Sequence, residues 1–282
     1  MNRDHALPRR SFLGMMAAAP FGAAALGRAA ERIPVGLELY SVRNALAKDL
    51  MGTVQAVAKV GYQCVEFYAP YYAWTPDYAK LVRQQLDGLG VTCHSTHNDS
   101  RTFTPDGLGK AIELNHILGA RYIVMAHPGR VSGVDGWKRV VEMLNRSNAT
   151  MAAQDLHAGY HNHDLGWKPV DGQKPIEMIA SGTDKSIMLQ LDVGTCLETG
   201  NDPVAWIEKN PGRIRSMHVK DWSPEKGYQV LFGEGIAPWK KIFAAAESTG
   251  GIEYYLIEQE GSRYPELETA DRCLKAYRAL RG

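Results

Sequence analysis

Met188-Leu189-Gln190-Leu191-Asp192-Val193-Gly194 decides how this chain folds. Its apolar residues mark a short strand, yet Gln190 and Asp192 interrupt them two residues apart, and the carboxylate comes at the strand's end. Successive side chains on a strand point to opposite faces, so Gln190 and Asp192 share one face. A strand buried on both sides does not end in an ionisable group without compensation, because an unpaired buried charge costs several kcal/mol. The same pattern recurs on three more runs. Ser216-Met217-His218-Val219-Lys220-Asp221 aligns His218 with Lys220, and Tyr254-Tyr255-Leu256-Ile257-Glu258-Gln259-Glu260 aligns Glu258 with Glu260. Gly159-Tyr160-His161-Asn162-His163-Asp164 puts His161 and His163 on one face, with Tyr160 and Asn162 on the other.

Outward from these runs the chain alternates short apolar, β-branched or aromatic stretches with longer segments of helical period, the pattern of repeated βα units. Strands are expected near residues 35 to 40, 63 to 68, 91 to 96, 121 to 126, 157 to 163, 187 to 192, 214 to 220 and 253 to 259. Eight is the number a closed barrel needs, so the fold class is α/β, a (β/α)8 TIM barrel. Helices are expected over Asp49 to Val60, Tyr78 to Leu89, Asp106 to Leu118, Trp137 to Gln154 and Pro238 to Ser248. Gly61, Gly90, Gly119 and Gly250 fall between a helix and the next strand, where a left-handed residue is favoured. A doubly wound open sheet is the rival, but Leu39-Tyr40-Ser41-Val42-Arg43 stands where its glycine-rich phosphate loop would follow the first strand.

At the C-terminal ends of barrel strands, side chains converge on one mouth. Four neighbouring strands would then bring His161, Asp192, His218 and Glu258 together, a mixed nitrogen and oxygen ligand set for one divalent metal ion. Its borderline softness suits Mn2+, Zn2+, Co2+ or Fe2+ better than Ca2+. The competing reading is a set of salt bridges at the mouth. Glu38 ends the first strand, Glu66 the second, His94 and His97 the third and His127 the fourth, where they could shape the pocket; Glu38, His97 and His127 are the candidate substrate contacts, and His94 reads as a structural group. Trp222 and Trp239 are either packing residues or aromatic platforms for a sugar ring. Phe232-Gly233-Glu234-Gly235 is too short for a nucleotide loop and reads as a tight turn near the mouth.

The formal net charge is +1 and charged residues make up 22% of the 282, so no global field draws the chain to nucleic acid or an anionic membrane. A small molecule is the expected partner. Cys64, Cys93, Cys196 and Cys273 lack any paired spacing and read as buried packing residues. Residues 1 to 32 are set apart: Arg9-Arg10-Ser11-Phe12-Leu13 precedes an alanine-rich apolar run from Gly14 to Leu26, then Gly27-Arg28-Ala29-Ala30. This resembles a twin-arginine export signal and is short for a membrane span of about 20 residues. The expectation is a periplasmic protein whose barrel runs from 33 to 282, and export disfavours a phosphorylated substrate.

"GYHNHD", "LQLDVGT", "HVKDW", "FGEG" and "YYLIEQEG" resemble the sugar phosphate isomerase/epimerase family of xylose isomerase-like TIM barrels, over the chain from about Val35 onward. The resemblance implies a metal held by a glutamate of the fifth strand, an aspartate of the sixth, a histidine of the seventh and a glutamate of the eighth. Asp192, His218 and Glu258 match the last three; His161 stands where the first glutamate is expected. With one of two glutamates replaced, two-base epimerisation loses ground to isomerisation, dehydration or β-elimination. A metal acting as Lewis acid on adjacent oxygens of a keto sugar would stabilise the enediolate left by an α proton. Glu260 or His163 would be the base, and Lys220 would hold a substrate oxygen or neutralise charge. A dehydratase acting on a keto-glycoside or inosose is the alternative within enzymes, and a non-catalytic periplasmic carbohydrate-binding protein the alternative outside them. A nuclease would need a basic groove, which the near-neutral charge does not offer.

Overall fold

The computed structural model describes residues 33 to 282, and the expected export signal lies outside them. Eight parallel strands close on themselves in chain order. They are β1 (Val35–Glu38), β2 (Cys64–Phe67), β3 (Thr92–Asp99), β4 (Tyr122–His127), β5 (His157–His161), β6 (Met188–Asp192), β7 (Ser216–Val219) and β8 (Tyr254–Ile257). Closure is made by β1 against β8, with Leu37 opposite Ile257. Alternation of buried side chains on the two faces is what lets runs of only four or five residues form: one face meets the helices, the other fills the barrel.

The helices follow their sequence signals closely. Leu50–Val60 starts where the Asp49 carboxylate accepts from the Gly52 amide and ends at Gly61, whose φ of 109° needs a residue without Cβ. Pro76–Leu89 and Pro105–Leu118 each begin with proline after a threonine cap. Gly250, expected as the left-handed stop before the last strand, is not it. The chain makes a π-helical turn over Ala246–Gly250 and Gly251 takes the positive φ, because the wider turn consumes one more residue. Shorter helices at Pro175–Gly182, Val193–Glu198 and Pro203–Lys209, and a long C-terminal one at Glu266–Arg281, complete the outer ring. None of the described helices is long and apolar enough to cross a membrane. All four cysteines are buried free thiols.

Inside the barrel, Cys64, Tyr122, Val124, Met188, Tyr254 and Leu256 form a closed apolar cluster. These residues come from β2, β4, β6 and β8, the alternate-strand layering that fills such barrels. Gly36 on β1 lets the layer close, since a Cβ there would meet the Cys64 carbonyl oxygen at 2.5 Å. Two residues further along β2, β6 and β8, the filling changes from apolar to polar, with Glu66, Gln190 and Glu258.

Candidate active site

Above the apolar layer sits Glu66 of β2, fully buried. Its Oε2 accepts from His218 Nε2 at 2.8 Å. Its Oε1 accepts from Gln190 Nε2 at 3.0 Å and, over a short contact, from the Ser95 hydroxyl. Because the Gln190 amide nitrogen is used this way, its oxygen faces the histidines, accepting from His97 Nε2 at 2.9 Å and His161 Nδ1 at 3.0 Å. Both rings therefore donate to Gln190, which leaves Nε2 of His161 a lone-pair acceptor. That atom lies 3.7 Å from Asp192 Oδ2.

Asp192 is abreast of His218 across the β6–β7 pairing. Asp192 Oδ1 caps the following helix through the Thr195 amide, while Oδ2 is buried with no hydrogen-bond partner. Lys220 Nζ comes within 2.9 Å of that oxygen, a charge contact without hydrogen-bond alignment. The same ammonium reaches Glu258 Oε2 at 3.5 Å and binds Glu260 Oε1, with the Tyr228 ring 4.6 Å away. His218 is held at both nitrogens, Nδ1 standing 2.9 Å from Glu258 Oε2.

Burial opposes charge on every group here, and the partners decide which groups keep it. For His218, hydrogen bonds donated to the carboxylates of Glu258 and Glu66 outweigh burial and hold the imidazole well above its usual range. Lys220 is likewise raised against burial by Asp192, Glu258 and Glu260. His97 and His161 have no carboxylate in hydrogen-bond contact: burial, opposed only in part by Glu66, pushes His97 down to about 4, and burial, reinforced by the neighbouring imidazoles and the Lys220 ammonium, holds His161 well below its usual range. Burial and the Glu258 charge push the Glu38 carboxyl well above the usual carboxylate range. Glu38 Oε2 accepts from the Tyr40 amide, and Oε1 has no partner.

Ligating atoms of Asp192, His218 and Glu258 lie within 4.8 Å of one another, as do those of His97, His161 and His218. The four expected ligands thus fall in two overlapping sets joined at His218. Metal ligand bonds of about 2.0–2.3 Å need donor atoms slightly closer than this. The chemistry of the donors fits a divalent ion. Asp192 Oδ2 has the Lys220 charge beside it but no hydrogen-bond partner, His161 Nε2 is an unprotonated acceptor, and His218 Nδ1 faces a carboxylate that a cation could share with it. Glu66 would then retain the other nitrogen, the carboxylate–histidine support usual around bound metals. Glu66 ends a strand with the right phase, but only barrel closure brings β2 against the β7 histidine from across the interior.

The open cleft at the mouth has two lobes. The first, about 280 Å³, is lined by Glu38, Tyr68, His97, His163, Glu258 and Glu260 among others. The second, about 430 Å³, takes its walls from Pro128, Trp137, Tyr160, Leu165 and Tyr228, with Lys220 at its edge. Ala126, His127, His163 and Glu260 line both. His163 Nδ1 pairs with the Ala126 carbonyl at 2.9 Å, which makes it the donor and leaves Nε2 free to accept a proton. Its ring stacks on His127 at 4.7 Å.

Trp222 and Trp239 line neither lobe. Trp239 is buried among Phe232 and Phe243, its indole N–H donating to Asp221 Oδ2. The same Asp221 carboxylate accepts from the amides of Trp222, Gly233, Gly235 and Ala237. Asp221 thereby shapes the Phe232–Gly235 turn and ties Trp239 to the outside of the barrel; as platforms for a sugar ring both tryptophans are misplaced. A larger groove of about 820 Å³ runs past Trp239, Ala276 and Leu280, but its walls hold no histidine and no buried cluster of titratable groups.

Fold and site together define a TIM barrel with a buried, metal-competent nitrogen and oxygen cluster at the C-terminal ends of its strands. The chain belongs to the xylose isomerase-like TIM barrel family, whose model matches residues 54–280. It is similar to an inosose dehydratase of Geobacillus thermodenitrificans, 25% identical over 176 residues, covering 51% of this chain and 58% of that protein. It is also similar to the L-ribulose-5-phosphate 3-epimerase UlaE of Shigella flexneri, 28% identical over 176 residues, covering 58% of this chain and 59% of the relative. In both cases the match spans less than two thirds of the relative's length. A solved sugar phosphate isomerase/epimerase from Parabacteroides distasonis superposes with a TM-score of 0.74 at 25% identity, over 88% of this chain and 96% of the other.

Proposed function

We propose that this chain is a divalent-metal-dependent isomerase or epimerase that removes a proton next to the carbonyl of a non-phosphorylated sugar or keto sugar, working in the periplasm after export under residues 1 to 32. The observation that carries it is the meeting of two things at one mouth: the Asp192, His218 and Glu258 cluster, and His163, whose Nδ1 is taken up by the Ala126 carbonyl so that Nε2 is left for the substrate. When bound, the metal would polarise the substrate carbonyl as a Lewis acid. Asp192, His218 and Glu258 would hold it, with His161 Nε2 facing the same carboxylate. The chain's own part is to present the α carbon to His163, whose Nε2 takes the proton and gives it back to the neighbouring position of the enediolate. Glu260 is the less available base, because Lys220 already holds its carboxylate. A phosphate would find little free charge. Lys220 is surrounded by three carboxylates, and the Arg43 guanidinium donates to the Tyr40 and Glu260 carbonyls.

Elimination of a β oxygen starts with the same proton removal, and His161 at the expected place of a glutamate supports it as the second reading. Metal-loaded protein should exchange the α hydrogen of a keto sugar with deuterium from D2O, followed by NMR. A metal-loaded protein that binds keto sugars and exchanges none of them would make it a carbohydrate-binding protein instead.

A further inference from the structure

A free monosaccharide uses only part of this cleft. The lobe beside Glu258 and His97 is about 280 Å³, near the lower end of about 300–1,000 Å³ usual for small-molecule sites. It carries the polar groups a sugar ring needs. The second lobe is larger, about 430 Å³, and its walls are of another character: Pro128, Trp137, Tyr160, Leu165 and Tyr228 supply aromatic and aliphatic surface, with Asp164, Glu198, Lys220 and Glu260 also in the lining. His163 lies on the border, lining both. A ring seated in the first lobe would therefore point one substituent past His163 into a chamber that is largely but not wholly apolar. We propose that the second lobe is a leaving-group subsite, so that the substrate is a glycoside whose sugar ring carries a ketone, and that the reaction cleaves its glycosidic C–O bond by elimination. This rests on the proton abstraction proposed above and follows its second reading, elimination, in place of return of the proton to carbon.

The chemistry fixes where the ketone must be. Elimination needs an acidic C–H between the carbonyl and the carbon that bears the leaving oxygen, so with the anomeric carbon as C1 the proton is on C2 and the ketone at C3. His163 Nε2 takes the C2 proton, the C2 electron pair forms the C1–C2 double bond, the C1–O bond breaks, and the departing oxygen receives the proton from His163. An unsaturated keto sugar and a free alcohol or phenol result. No oxidant, reductant or water enters, and one histidine bordering both lobes is enough for both proton transfers.

The test uses full-length, metal-loaded protein with three probes: a 4-nitrophenyl glycoside bearing the C3 ketone, the corresponding free C3-keto sugar, and the unoxidised 4-nitrophenyl glycoside. Leu165→Trp fills the second lobe from its rim, where the side chain is 56% exposed and outside the proton-transfer groups. Expected are release of 4-nitrophenol from the first probe and saturation transfer from protein to the aromatic protons of the third. Leu165→Trp should raise KM for the aryl keto-glycoside at least tenfold while changing deuterium exchange into the free keto sugar less than twofold. Exchange into the free sugar with no 4-nitrophenol release and no saturation of the aryl ring would overturn the subsite and leave the proton-abstraction reading standing. Absence of exchange into either keto probe would overturn both.

Discussion

The two layers inside this barrel hang on the same strands and differ in almost every other respect. In the lower layer Cys64, Tyr122, Val124, Met188, Tyr254 and Leu256 touch one another and shield one another from water. In the upper layer, one alternation further on, Glu66, Gln190 and Glu258 follow on β2, β6 and β8 and are joined by His218 of β7, all of them buried but polar. The lower layer stabilises by removing apolar area from water, at about 25 cal/mol per Å². The upper layer stabilises only while every charge keeps its partner, since a buried ion left alone costs several kcal/mol. A short strand can therefore serve both ends: its lower half holds the barrel closed, and its upper half holds charge in place.

The contrast is broken most severely at its two extremes. His218→Ala should remove tight divalent-metal binding, taking stoichiometry by elemental analysis from near one to near zero. It should also destabilise the metal-free protein by about 3–5 kcal/mol, because Glu66 and Glu258 lose the group they share. Leu256→Ala should cost a comparable amount, about 2–5 kcal/mol by denaturant unfolding, through the cavity it leaves. Its metal stoichiometry should stay at the wild-type value. If Leu256→Ala lost the metal, or His218→Ala kept it, the division of labour between the layers would be wrong.

Acid separates the layers next. The lower layer has no group that titrates between pH 4 and 7, whereas His97 above it is held at about 4 instead of 6.5. A histidine whose folded pKa is depressed binds its proton first in the unfolded chain. Its contribution is complete above pH 6.5 and is lost as the pH falls towards 4, up to about 3 kcal/mol. Metal-free protein should show this loss in unfolding curves taken across that window, and His97→Gln should flatten the curve there. An unchanged slope in His97→Gln would mean that His97 is not the group responsible.

Much of this was legible from residues alone, for a physical reason. Strand alternation is local, so Asp192, His218 and Glu258 could be assigned to one face from the runs that contain them, and the apolar stretches marked all eight strands. Features that depend on distant partners were not legible in the same way. Trp239 follows the seventh strand closely enough to suggest the mouth, but the Asp221 carboxylate turns the intervening loop and directs its indole outward. The helices Pro175–Gly182, Val193–Glu198 and Pro203–Lys209 are too short to show a clear period. Which nitrogen of His163 is free depends on the Ala126 carbonyl, 37 residues away in the chain.

Glu66 is the sharpest case of this dependence and gives the smallest expected effect. On its own strand it is one acid among apolar neighbours, yet in the closed barrel it orders three elements at once: His218 from β7, Gln190 from β6 and Ser95 from β3. Through Gln190 it also sets which way His97 and His161 point their donors. Glu66→Gln keeps the shape and removes the charge, so His218 loses one of the two carboxylates that hold it while its other nitrogen is untouched. Metal affinity by calorimetric titration should fall about 10–100-fold, the usual cost of losing a group that orients a ligand. The variant should still bind one ion, unlike His218→Ala, because Asp192, Glu258 and the imidazole all remain. A wild-type affinity in Glu66→Gln would mean that this carboxylate belongs with the packing layer beneath it and not with the site above.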